Sequence, residues 1–268
     1  MPKVNVNGLT MNYEEQGSGE PIILIPFLSA DNACYAFQVP EYCKQFTCIS
    51  IDLRDTGESD KPAGEYSTAV LADDVAALMQ AIGIEQAQVF GLSLGAAIGM
   101  KLAIRHPEKV KSLSLHSGWP KADLYLETTL TGWQAMAKGL NSVPELVITG
   151  IFPWCLTPEC YAERPELIES LAAFVRSRPE QPVDAFIRQS NAVMSHDVES
   201  ELGTIAAPTQ ITFGQRDTIT SMRFAQPLTG NIRNNELVVF ENSAHAAIFE
   251  ETESFNQKTL EFFRRHAD

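Results

Sequence analysis

Apolar residues fall along this chain in two rhythms. Short runs in which they sit side by side alternate with longer stretches in which they recur every three or four positions. Pro21-Ile22-Ile23-Leu24-Ile25-Pro26 is a run of strand length, as are Phe46 to Ile51, Gln88 to Leu92, Val110 to His116, Thr209 to Phe213 and Glu236 to Phe240. A run apolar at every position, as at 21–26, suits a central parallel strand covered on both faces. Val4 to Val6 and Leu9 to Tyr13 flank Asn7-Gly8, a strong hairpin signal, and Gly17 and Gly19 are expected to break the second strand's pattern. The slower rhythm marks helices. Val70, Leu71, Val75, Leu78, Met79 and Ile82 predict one over Ser67 to Ile82, capped by Ser67 or Thr68 and stopped by Gly83. Leu94 to Arg105 is a second, stopped by His106-Pro107, and Glu250 to Arg265 a closing amphipathic one. Up to residue 117 the order is strand, strand, helix, strand, helix, strand after the opening hairpin. That order predicts an α/β fold, a mostly parallel central sheet flanked by helices.

From 118 to 200 the texture changes. No clear strand appears, and helical patterns cover Leu124 to Leu140, Pro165 to Arg176 and Val183 to Met194. All three tryptophans and seven of the 15 prolines lie here. Without a Gly/Ser-rich linker at either end, the stretch reads as an inserted helical cap on a core of 1–117 and 201–268.

Composition narrows the partners. A net charge of −14 over 268 residues argues against nucleic acid and against an anionic membrane surface. The N-terminus has no apolar run of signal-peptide length, and no stretch approaches the roughly 18 apolar residues of a membrane span, so a cytoplasmic protein, or one whose signal has been removed, is expected. Five scattered cysteines without a CxxC pair predict reduced thiols. Whether the chain forms a homo-oligomer stays open.

Candidate chemistry starts at Gly91-Leu92-Ser93-Leu94-Gly95, where a strand-like run meets a helical one. Gly-x-Ser-x-Gly at such a junction places a serine on a sharp turn with its hydroxyl exposed, next to a helix N-terminus that favours a developing anion. Serine needs a base, and the base an orienting carboxylate. In open parallel sheets functional groups gather at the carboxyl ends of strands. Asp217 and His245 follow the last two strands there. Of the five histidines only His245 has that position; Asp217 is favoured over Asp123 as the carboxylate. The cap aromatics Trp133, Phe152, Trp154 and Phe174 are candidates for lining a cleft, with Trp133 or Trp154, not both, expected to reach it. Arg54, Asp55 and Ser59 read as a loop tied down by hydrogen bonds and an ion pair.

Together Leu24-Ile25-Pro26-Phe27-Leu28-Ser29, Asp52 to Pro62, Gly91 to Gly95, Phe213-Gly214-Gln215-Arg216-Asp217 and Ser243-Ala244-His245, with Glu250 and Phe255-Asn256 beyond, carry a resemblance. The chain resembles the α/β-hydrolase fold family, in particular its small capped esterase, lactonase and perhydrolase-like members, over residues 3–118 and 205–266. The resemblance implies Ser93, Asp217 and His245 as catalytic residues and the backbone N–H groups of Leu28 and Leu94 as an oxyanion hole. Phe27 stands where the family usually has glycine, Asp55-Thr56 where it has Gly-His, and Ala244 where it has glycine. Phe27, Trp133 and Trp154 are then the expected substrate contacts. The implied activity is hydrolysis of small, largely apolar carboxylic esters through an acyl-enzyme, with no cofactor or metal. Carbon–carbon bond or enol-lactone hydrolysis on the same residues, and a receptor role, are the alternatives.

Overall fold

Eight strands form one sheet in the order β1-β2-β4-β3-β5-β6-β7-β8 in the computed structural model, which describes residues 2–267. The strands are β1 (Lys3–Val6), β2 (Leu9–Gly17), β3 (Pro21–Ile25), β4 (Thr47–Ile51), β5 (Ala87–Leu92), β6 (Val110–His116), β7 (Thr209–Gly214) and β8 (Asn235–Phe240). Only β1 and β2 run antiparallel to their neighbours; the other pairings are parallel. This is the mostly parallel sheet expected from the sequence.

The period of two along each strand explains the unbroken apolar runs. Ile23, Ile25 and Val89 face one side and join the core under the helices α1 (Thr68–Ala81) and α2 (Leu94–Arg105). Ile22, Leu24, Phe90 and Leu92 face the other and pack with Phe255, Phe262 and Phe263 of the last helix, Thr252–Arg265. Each such side chain, taken fully out of water, contributes about 1.5–3 kcal/mol. Both faces are dry, so the polar side chains that the strands do carry are bonded to one another: Ser112 donates to Gln88 Oε1 at 2.9 Å and Ser114 to Gln210 Oε1 at 3.0 Å.

The Asn7-Gly8 turn has both residues at positive φ, 49° and 78°, as a two-residue hairpin between right-twisted strands requires. β2 extends past the expected end at Tyr13, because Tyr13 to Gly17 pairs along β4, and stops at Gly17, where a break was expected. The start of α1 also departs from expectation. Ser67 stands at the N-cap without a side-chain cap bond, and the Thr68 hydroxyl is 2.8 Å from His196 Nδ1. The last helix begins at Thr252; Ala247–Glu250 forms a separate short turn of helix before it.

Between β6 and β7 the chain is helical. It forms α3 (Leu124–Leu140), several short turns including a π segment at Val147–Ile151, then α4 (Pro165–Ser177) and α5 (Val183–Met194). Two ion pairs tie this segment to the loops below it. Arg188 of α5 grips both oxygens of the buried Asp55 carboxylate at 2.9 and 3.0 Å. Arg178 bonds Asp31 at 2.6 Å. The loop after β4 is held by hydrogen bonds and ion pairs, as expected from its sequence. Asp55 pairs across to the helical segment, while Arg54 pairs with Asp74 of α1 at 2.6 Å. Ser59 keeps the expected local role, accepting the Asn12 N–H and donating to the Asp52 carbonyl. All five cysteines are unpaired. Among the described residues no helix is long and apolar enough to cross a membrane.

Candidate active site

Ser93 joins β5 to α2 with φ 54° and ψ −116°, a conformation that a non-glycine residue holds only when its surroundings impose it. The flanking glycines make the turn feasible. A Cβ on Gly91 would run into the Gly95 backbone, and a Cβ on Gly95 into the Ile25 carbonyl. The helix therefore packs directly on the end of β3 and the loop that follows it. Ser93 N–H is held by the His116 carbonyl at 2.8 Å. Leu94 is the first residue of α2, whose opening N–H groups have no partner within the helix.

Asp217 and His245 are brought together from the loops after β7 and β8. The two loops are tied at their bases: Arg216 N–H bonds the Ser243 carbonyl at 2.9 Å, and Gly214 leaves no room for a side chain beneath the Ala244 carbonyl. His245 Nδ1 donates to Asp217 Oδ2 at 2.8 Å. The other carboxylate oxygen accepts the N–H groups of Ile219 and Thr220 at 2.7 and 3.1 Å. Thr220 Oγ1 lies 2.8 Å from Oδ2 and 3.0 Å from the Ser117 carbonyl, either of which can take its proton. Burial pushes the Asp217 pKa up, but the adjacent imidazole and these donors outweigh it and leave the carboxyl at about 2. Asp217 is thus an anion at neutral pH, and its bond fixes Nδ1 as the donor nitrogen. Nε2 is then left to accept a proton.

Asp123, the competing carboxylate, is committed elsewhere. It caps α3 by accepting the Leu126 N–H at 2.9 Å and pairs with Arg223 at 2.7 Å. His116 and His196 are buried and held neutral, each lowered to about 3 chiefly by desolvation. Glu250 has a positioning role: Oε2 accepts the Ala244 N–H at 2.7 Å, and Oε1 accepts the Thr157 N–H at 2.8 Å and its hydroxyl at 2.6 Å. The residue before His245 is thereby joined to the helical segment.

Ser93 and His245 line the same cavity, of about 80 Å³, together with Phe27, Leu28 and Trp133. No hydrogen bond links Ser93 Oγ to His245 among the described residues; in free enzymes such contacts commonly tighten only around substrate. Its polar wall is little more than Ser93 and His245 themselves. A second cavity of about 330 Å³ lies beside it, with Phe27, Leu28, Phe152 and Phe249 among the residues that line both. Phe174 and Arg178 line the second cavity. Of the expected contacts, Phe27 and Trp133 reach the site. Trp154 does not: it lines neither cavity and is 38% exposed. Trp133 sits on the inward face of a long helix, whereas Trp154 belongs to the four-residue turn Phe152–Cys155, which has no fully buried residue.

Thr220 and Gln189 were not singled out from the sequence. Thr220 had a signal, since an Asp three residues before a Thr favours a local turn in which the carboxylate accepts backbone N–H groups. Gln189 had none, being a polar residue in an amphipathic helix.

The chain compares with known proteins over most of its length. It is similar to the AB hydrolase superfamily protein YisY of Bacillus subtilis (strain 168), at 28% identity over 95% of each chain. It is similar to 3-oxoadipate enol-lactonase 2 of Acinetobacter baylyi, at 25% identity over 96% of this chain and 94% of that one. The crystal structure of MGS-M2, an alpha/beta hydrolase from a Medee basin deep-sea metagenome library, superposes with a TM-score of 0.89 at 24% identity, covering 98% of this chain and 97% of that one. The sequence-family model for the alpha/beta hydrolase fold matches residues 4–252. With that match and a sheet, elbow and strand-end loops of this form, the chain belongs to the α/β-hydrolase family.

Proposed function

We propose that the protein is a serine hydrolase of carboxylic esters with small, largely apolar acyl or alcohol groups. The observation that carries this reading is the 2.8 Å bond from His245 to a buried, ionised Asp217, beside a strained serine that opens into the same apolar cavity as His245. Ser93 Oγ attacks the ester carbonyl as its proton passes to His245 Nε2. The imidazolium that forms is stabilised by Asp217. The negative charge on the carbonyl oxygen is met by the N–H groups of Leu28 and Leu94, at the start of α2. The intermediate collapses, the alcohol leaves with the proton from His245, and Ser93 carries the acyl group. Water, deprotonated by His245, then attacks the acyl carbonyl and releases the acid and the free serine.

The cavity sizes bear on the substrate. Binding cavities for small molecules usually reach about 300 Å³ or more. The space at Ser93, about 80 Å³, is smaller than that, and the adjoining 330 Å³ is not. A substrate then places its scissile carbonyl and one compact apolar group at Ser93, and extends the remainder past Phe27 into the larger space. Lactone hydrolysis is the second reading, favoured by the enol-lactonase relative; a lactone is an internal ester and uses the same steps. The test is turnover of p-nitrophenyl esters of graded acyl length, and of simple lactones, by wild type and Ser93→Ala. Turnover of esters that vanishes with Ser93 supports the proposal. Turnover confined to lactones moves it to the second reading, and turnover unaffected by Ser93→Ala refutes both.

A further inference from the structure

One hydrogen bond crosses from the helical segment to the backbone of the loop after β3. Gln189, near the middle of α5 and fully buried, accepts the Ser29 N–H on Oε1 at 2.8 Å. Gln181 Nε2 donates to the same oxygen at 3.2 Å. With two donors converging on it, that amide has only one orientation, oxygen toward the loop. Ser29 itself is at φ 63°, in the left-handed region that a residue with a side chain leaves unless it is held. The peptide carrying the Ser29 N–H is the one that joins it to Leu28. The Leu28 N–H lies one peptide earlier, so holding this peptide fixes the Leu28 ψ angle and limits the path the backbone takes through Phe27 and Leu28. From below, the same loop rests on Gly95, which has no room for a Cβ against Ile25 and Pro26.

We propose that Gln189 is a positioning residue: its amide oxygen holds the Leu28–Ser29 peptide so that the Leu28 N–H points at the developing oxyanion. This rests on the ester-hydrolase reading above. The helical segment then does more than cover the cavity; part of the oxyanion site is set by α5. The Arg178–Asp31 and Arg188–Asp55 pairs dock the segment independently of this contact, so removing the Gln189 oxygen changes the loop's orientation without undocking the segment.

The test is Gln189→Met, close in volume and without the acceptor, assayed with a p-nitrophenyl ester. Oxyanion donors act in the transition state, so kcat falls on the order of 10- to 100-fold while KM changes by less than about threefold. The inhibition constant of phenylboronic acid, whose tetrahedral serine adduct mimics the intermediate, rises by the same factor as kcat falls. A glycine at 29 occupies the left-handed region without strain, so in a Ser29→Gly background the same Gln189→Met change lowers kcat by only about threefold. Should Gln189→Met not fold, Gln189→Asn withdraws the acceptor by one methylene and serves in its place. An unchanged kcat and boronate affinity in a folded Gln189 variant overturns the proposal and leaves the hydrolase reading standing. So does a rise in KM alone, or an equal loss in the Ser29→Gly background. A wild type that neither turns over the esters nor binds the boronate defeats the hydrolase reading, and this inference with it.

Discussion

Acid sensitivity is built into the core at His116. The imidazole is 1% exposed and lies between Phe90 and Phe255, with ring centroids at 4.4 and 4.6 Å. Its Nδ1 is 2.7 Å from Thr212 Oγ1 and its Nε2 3.1 Å from Ser114 Oγ, neutral partners both. Among the described residues no carboxylate bonds to it, and burial lowers the pKa from 6.5 to about 3. Between those two values the unfolded chain binds a proton at this position and the folded chain does not. Stability therefore falls as pH drops through this window. At pH 5 the unfolded group lies about 1.5 pH units below its pKa, which at about 1.36 kcal/mol per unit is a loss of about 2 kcal/mol relative to pH 8. His116→Asn keeps an amide near the Thr212 bond and cannot titrate. The variant starts from lower stability at pH 8, but the difference in unfolding free energy between pH 8 and pH 5, from urea titrations, shrinks by about 2 kcal/mol against wild type. A difference equal to that of wild type refutes the reasoning.

Three further outcomes follow from the site and its supports. Asp217→Asn lowers kcat on the order of 10³- to 10⁴-fold, while Asp123→Asn, whose carboxylate serves a helix cap and Arg223, leaves kcat within about threefold; steady-state ester kinetics separate the two. Arg188→Met leaves the fully buried Asp55 carboxylate unpaired and destabilises the fold by about 3–5 kcal/mol in urea, and adding Asp55→Asn recovers a large part of that. Trp133→Ala alters the preference between short and long acyl chains, whereas Trp154→Ala leaves relative kcat/KM within about twofold.

The elements legible in the sequence are those whose burial is set by their own pattern. β3 and β5 are apolar on both faces because both faces are covered, and α2 and β6 end where His106-Pro107 and the strand pattern place them. Ser93, Asp217 and His245 could be singled out as candidates because each follows a strand, and parallel strands deliver their ends to one edge. What stayed hidden depends on partners far away in the chain. Arg188 and Gln189 look like the solvated side of an amphipathic helix until Asp55 and the Ser29 N–H are placed beneath them. Thr68 looks like a helix cap until His196 arrives beside it. Trp154 misled for a related reason: an aromatic side chain signals apolar contact, but in a four-residue turn no helical periodicity says which way it faces. The short helices at Asn32–Tyr35, Val39–Tyr42 and Ala225–Asn231 lack the length for a period to show.

The central claim, that Ser93 is a nucleophile activated through His245 and Asp217, is tested most directly by covalent labelling. The protein is treated with an alkyl fluorophosphonate, followed by intact mass and peptide mapping. The account predicts a single phosphonyl group on Ser93, none in Ser93→Ala, and labelling slowed on the order of 100-fold or more in His245→Ala. A label on another residue, or Ser93 labelled at an undiminished rate without His245, would contradict it.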